Sequence, residues 1–115
     1  MRAGIQLRGR IESDLRDLAQ GPRAGPLLAS CKPVFVPNHR PVPILAWELD
    51  RREGEFVSAQ LERPRRGLFV APANAIVREK FVLDPNDPKR LDADVPSDFA
   101  PVAGNRSWTL YEKSC

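Results

Sequence analysis

The chain has 115 residues, 18 Lys plus Arg against 15 Asp plus Glu, and a formal net charge of +3. That length suits one compact domain with a single core and excludes two, and so small a net charge does not by itself imply a polyanionic partner. Arginine supplies 14 of the 18 positive charges and proline occurs 12 times, a usage that carries no functional signal on its own.

No run reaches the roughly 18 to 20 apolar residues of a membrane span, and the first ten residues lack the apolar region of a signal peptide. The chain alone is therefore expected to be soluble. From Gly4 to Gln20, the residues Leu7, Ile11, Leu15 and Leu18 repeat at helical spacing, with charges mostly elsewhere, which predicts an amphipathic helix docked on the core. Gly21-Pro22 stops it. Residues 21 to 26 read as a loop, and Leu27 to Cys31 as a short apolar approach to a strand.

Val34, Phe35 and Val36 form an apolar triplet between prolines, as expected of a strand buried on both faces. Residues before proline are pushed out of the helical region, so the chain turns through Asn38, His39 and Arg40, and a helix begins near Pro41 to Pro43. Val42, Leu45, Ala46 and Leu49 share one face of it. Ile44 and Trp47 extend the apolar surface, so the helix is expected to be largely buried. Glu55 to Ala59 is the next strand, which completes a βαβ unit. A charged connector containing Arg63-Pro64-Arg65-Arg66 leads to a third strand at Gly67 to Ala71, a short helix at Asn74 to Phe81, and a polar surface loop over residues 84 to 98. Phe99 to Val102 and Ser107 to Glu112 flank a hairpin turn at residues 103 to 106.

These elements predict a single domain, an N-terminal helix (1–21) followed by an α/β or α+β core (27–115). The core would be a small three-layer structure whose short, largely parallel sheet ends in an antiparallel hairpin. Ligands bind such sheets beyond the carboxyl ends of the strands, where Asn38, His39, Arg40 and Asn74 are the candidate residues. Helix-terminal N–H groups and Arg40 suit an anion there, although Pro41 and Pro43 remove two donors. A purely structural corner is the competing reading.

His39 is the only histidine, and Cys31 stands at the other end of the strand from it, too far for a nucleophile pair. Cys31 and Cys115 form no CxxC motif and are either bridged or two free thiols. The Asp84, Asp87, Asp92, Asp94 and Asp98 run lacks the glycine and closing glutamate of a calcium loop and reads as solvated acid. The arginine connector has no interleaved aromatics, so nucleic acid is an unfavoured partner. Asn105-Arg106-Ser107 fits the N-glycosylation pattern on a turn. No metal set, no cofactor motif and no self-sufficient active site is recognisable, which leaves enzymatic activity open.

The order of several phrases resembles a known family. It runs through Cys31, the short strand, Val36-Pro37-Asn38-His39-Arg40-Pro41-Val42-Pro43 and the apolar helix with Trp47. It continues with Arg66-Gly67-Leu68-Phe69-Val70, Phe81-Val82-Leu83-Asp84-Pro85 and the closing Ser107-Trp108-Thr109-Leu110-Tyr111-Glu112-Lys113-Ser114-Cys115. This order is similar to the soluble C-terminal tail of bacterial multi-pass membrane glycosyltransferases, mannosyltransferase-like enzymes that use lipid-phosphate sugar donors. That family's acidic catalytic residues lie in loops among membrane spans, and no position here matches them. The resemblance implies a non-catalytic accessory domain on the extracytoplasmic side, a fragment whose partner is the membrane-embedded part of the enzyme and whose ligand is a sugar-phosphate or glycan. It also favours a Cys31–Cys115 bridge, since both thiols would face an oxidising space. The alternative is a free-standing, cytoplasmic α/β protein that binds phosphate, sugar-phosphate or nucleic acid at Asn38 to Arg40.

Overall fold

The computed structural model describes residues 2–83 and 93–115, and side chains from residue 7 onward, so residues 84–92 of the acidic loop lie outside the described part. Helix α1 (Arg2–Gln20) buries Ile11, Leu15, Leu18 and Ala19 as one stripe, as the spacing requires. Its end is set by Gly21, whose N–H donates to the Leu18 carbonyl at 3.1 Å.

Helix α2 (Ala24–Ser30) stands where a loop and an apolar approach were expected. Pro26 lies in its first turn, where a missing N–H costs nothing, and Ala24 and Leu28, one turn apart, are both buried. The Ser30 hydroxyl donates to the Pro26 carbonyl at 2.8 Å.

Strands β1 (Val34–Val36), β2 (Phe56–Ser58), β3 (Gly67–Pro72), β4 (Ala100–Gly104) and β5 (Trp108–Lys113) form one sheet in the order β2-β1-β3-β5-β4. β1 is parallel to β2 and β3, while β5 is antiparallel to both β3 and β4. The domain is thus an α/β fold with a parallel half and a closing hairpin, as the sequence predicts. Pro101 sits in β4 at the sheet edge, next to a register shift, where no ladder donor is required of it.

The pleat divides the core in two. Val34, Val36, Leu68, Val70, Trp108 and Leu110 face the helices, packing with Ile11, Leu15, Leu28, Leu45, Val77 and Phe81. Phe35, Phe69 and Ala71 face the other way and are covered by Phe99 and Val95, with the Phe69 and Phe99 rings edge to face at 6.5 Å. The third layer is therefore built from an extended segment rather than from helices. It is pinned to the end of β1 by the Ala93 N–H, which donates to the Pro37 carbonyl at 3.1 Å.

Helix α3 (Val42–Glu48) connects β1 to β2 and buries Val42, Leu45 and Ala46. Trp47 is 83 % exposed, against the expectation of a largely buried helix. With Val42, Leu45 and Ala46 turned inward at i, i+3 and i+4, position 47 falls on the outer side, and no other element covers it among the described residues. The helix ends in a nested pair of bonds, Arg51 N–H to the Ala46 carbonyl at 2.9 Å and Asp50 N–H to that of Trp47 at 3.3 Å, with Asp50 in the left-handed region at φ 52°.

Helix α4 (Ala75–Val77) continues as a π turn (Arg78–Val82), where a regular helix over Asn74 to Phe81 was expected. The wider turn brings both Phe81 and Val82 into the core, Phe81 meeting Trp108 edge to face at 5.6 Å.

The most constrained backbone point is Gly67. Its φ is +107°, and a Cβ there would lie 2.2 Å from the Pro33 carbonyl oxygen, the same oxygen that accepts from the Leu68 N–H at 2.9 Å. Gly67→Ala must break this β1–β3 contact as well as strain the backbone, so urea unfolding is expected to show a loss of about 3 kcal/mol or more.

Candidate functional site

β1 and β3 run parallel, so their carboxyl ends open on the same edge of the sheet, and both candidate corners lie there. Asn38 is buried. Its Nδ2 donates to the Val82 carbonyl at 2.8 Å, and its Oδ1 accepts from the Arg40 N–H at 3.0 Å, closing a turn two residues long. Arg40 donates from Nε to the Phe81 carbonyl at 3.0 Å and lays its guanidinium over the Phe81 ring, 5.5 Å from the centroid. His39 is exposed, and its carbonyl accepts from the Val42 N–H at 3.1 Å.

At the second corner, the Asn74 Oδ1 accepts from the Val77 N–H at 3.0 Å as a helix cap, and its Nδ2 donates to the Arg106 carbonyl at 3.0 Å. The two corners therefore hold opposite ends of one helical segment: Asn74 caps the start of α4, while Asn38 and Arg40 take the carbonyls at the end of its π turn. They line separate shallow grooves. His39 and Arg40 share one of about 310 Å³ with Glu12, Pro43, Ile44 and Phe81, and Asn74 shares one of about 260 Å³ with Arg78, Asp94 and Tyr111. The Glu12 carboxylate in the first and the Asp94 carboxylate in the second work against an anionic ligand.

The most developed polar cluster lies elsewhere and was not foreseen. Asp14 sits on the buried side of α1, three residues after Ile11 and four before Leu18, and is only 7 % exposed. Its Oδ2 accepts from the Ser107 hydroxyl at 2.5 Å and from Arg106 Nε at 3.1 Å. Its carbonyl accepts from Asn105 Nδ2 at 2.8 Å, and one turn earlier the Ile11 carbonyl takes the Trp108 indole N–H at 2.9 Å. Asn105 Oδ1 in turn accepts the N–H groups of Ser107 and Trp108, both at 3.0 Å. The hairpin turn is thereby fastened to α1 across 93 residues of sequence. A polar residue in the middle of an apolar stripe was the one signal available for it.

Burial opposes ionisation of Asp14, but the Ser107 hydroxyl, the hydrogen bond and charge of Arg106, and the charge of Arg10 outweigh it and hold the carboxyl below its ordinary value. Asp14 thus stays ionised near neutrality with its donors supplied by the chain, an anchor rather than a proton shuttle. The same network decides the glycosylation pattern: the Asn105 nitrogen that would carry a glycan is engaged with Asp14, and the triplet serves as a turn.

Cys31 and Cys115 are joined as a disulfide with Cα atoms 5.6 Å apart. The topology brings them together. β1 and β3 start side by side (Val34 opposite Leu68), and β5, running back along β3, ends at the same place (Lys113 opposite Gly67). Bridged, Cys31 has no thiol to offer as a nucleophile. Of the acidic run, Asp94 is exposed and Asp98 pairs with Lys113, while Asp84, Asp87 and Asp92 lie outside the described residues. Among the described residues no three His, Cys, Asp or Glu side chains are grouped to hold a metal ion, and no helix is long and apolar enough to cross a membrane.

No protein-family model matches the chain, and comparison with curated proteins and with solved structures likewise finds no match.

Asp14→Asn removes the charge that Arg106 and Ser107 are arranged around, and a loss of about 2 kcal/mol in urea unfolding at pH 7 is expected. Because the folded pKa is lowered, Asp14's contribution is complete above the unfolded value of about 3.9 and disappears as pH falls through the lower folded one. The difference in stability between wild type and Asp14→Asn should therefore shrink on acidification in that window; a difference independent of pH would contradict the assignment.

Proposed function

We propose that this chain is a non-catalytic accessory domain that works outside the cytoplasm, beside a membrane glycosyltransferase of the mannosyltransferase-like kind its phrases resemble. The observation that carries the reading is the Cys31–Cys115 bridge. It closes a separation of 84 residues and ties the last residue of the chain to the approach to β1. Bridges of this kind persist in oxidising compartments and are reduced in the cytoplasm. In the chain-entropy account a loop of that length contributes about 4 to 5 kcal/mol, a large part of the stability of a domain this size.

Two further features support the reading. The phrases that carry the resemblance are those that build the fold's centre: the Asn38 to Arg40 clasp, strand β3 and strand β5 ending at Cys115. The polar groups that would be candidates for chemistry, Asp14, Asn38, Arg40, Asn74 and Ser107, are spent on holding elements together, which suits a domain that positions or couples rather than reacts. The recognised partner would be the membrane-embedded part of the enzyme, and the ligand, if the domain touches one, a sugar-phosphate or glycan.

Two measurements test this. Protein prepared from an oxidising compartment should show no reactive thiol when denatured without reductant, and Cys31→Ser should lose about 4 kcal/mol in urea unfolding; two free thiols would contradict it. The DNA flanking the coding sequence in the host genome should encode a many-span membrane protein, in frame or adjacent, and a neighbourhood with no membrane enzyme would remove the glycosyltransferase assignment.

A further inference from the structure

Five arginines in this fold are struts. Arg23 donates to the Val102 carbonyl, Arg40 to that of Phe81, Arg51 to that of Ala29 and Arg106 to Asp14, while Arg16 pairs with Glu48. Arg63, Arg65 and Arg66 differ. All three side chains are exposed, and none has a hydrogen bond or ion pair within the described residues; the charge of Asp98 acts on Arg63, but Asp98 is itself paired with Lys113.

The three line one groove of about 490 Å³, floored by Pro33 and Phe35 of the sheet face and containing a single acid, Glu62. The segment that carries them is anchored at its base. Pro64 is buried, the Ala59 N–H donates to the Val36 carbonyl at 2.9 Å, and the N–H groups of Leu61 and Glu62 donate to the Ser58 carbonyl at 3.0 and 3.2 Å. Past the arginines it runs into Gly67, fixed against Pro33. The guanidiniums are thus presented from a pinned loop over an apolar floor, and Leu61, two residues before Arg63 on the same loop, is 89 % exposed.

We infer that the Arg63, Arg65 and Arg66 groove is a binding site for a phosphate group. A guanidinium fork matches phosphate oxygens bidentately, and a phosphate presents enough oxygens to engage more than one fork, where a carboxylate fills only one. Three like charges gathered around one carboxylate repel each other until such an anion arrives, and an apolar floor strengthens the attraction. The loop offers no exposed aromatic side chain on which a base could stack, so the site is fitted to the phosphate itself and not to a polynucleotide. The phosphate is either free or the headgroup of an anionic lipid; in the second case Leu61 would enter the bilayer surface beside it. The inference rests on the groove alone and is independent of the accessory-domain reading.

The test uses the full, oxidised chain with two probes, inorganic phosphate by titration calorimetry and sedimenting vesicles of phosphatidylcholine with or without phosphatidylglycerol. Saturable binding is expected to inorganic phosphate, to the phosphatidylglycerol vesicles, or to both. It should weaken with added salt and by about tenfold or more in Arg65→Glu/Arg66→Glu, but not in Arg8→Glu, with thermal melts showing that each variant is folded. Leu61→Asp should reduce vesicle binding and leave inorganic phosphate binding unchanged if the headgroup is the source. The inference is overturned if neither probe binds, if the double variant binds like wild type, or if an oligonucleotide binds where both probes fail.

Discussion

The fold depends on one junction between its two chain halves. α1 arrives first and, as an amphipathic helix, has nothing of its own to pack against; the hairpin that closes the sheet arrives last. Trp108, fully buried, joins them by filling the space between α1 and Phe81 and by giving its indole N–H to the Ile11 carbonyl. Asp14 then uses its carboxylate and carbonyl to satisfy the donors of the turn just before it. Apolar packing supplies the area, and the hydrogen bonds fix which turn meets which face of the helix. A buried carboxylate without those donors would be strongly unfavourable, so the junction forms as a unit or not at all.

The same economy governs the carboxyl edge of the sheet. Helix ends leave N–H and carbonyl groups without partners, and a π turn leaves more than a regular end does. Asn74 serves the first end of the 75–82 segment, and Asn38 with Arg40 serves the last. At an edge that in a parallel sheet ordinarily receives a ligand, the side chains of Asn38, Arg40 and Asn74 are bonded to the chain's own helical segment. This is why Asn38, Arg40 and Asn74, though not the exposed His39, turn out to be occupied with the fold, while an arginine loop at the other end of β1 and β3 retains open donors.

What could be read from the sequence was what repeats or is punctuated. The stripe of Ile11, Leu15 and Leu18, the triplet Val34 to Val36 between prolines, and the hairpin around residues 103 to 106 are local patterns, and each yields the observed element. α2 was hidden because Gly21, Pro22, Gly25 and Pro26 read as loop residues, although a proline in a first turn is harmless. The exposure of Trp47 was not legible because its composition says apolar and only the one-sided packing of α3 puts it outside. For the site, Asn38, Arg40 and Asn74 could be located but not interpreted, since their partners, Phe81, Val82 and Arg106, are 32 to 44 residues away. Asp14 could be suspected from its place in the stripe, but Ser107 could not be named as its partner.

The central claim is that the polar corner after β1 is a clasp and not a receptor. Asn38 gives the sharpest test, because its amide nitrogen has the Val82 carbonyl as a buried partner and its oxygen closes the turn. Equilibrium urea unfolding of Asn38→Ala should show a loss of about 2 kcal/mol, the cost of leaving a buried carbonyl unsatisfied and opening the turn. An unfolding midpoint equal to that of wild type would contradict the account and return the corner to the list of ligand sites.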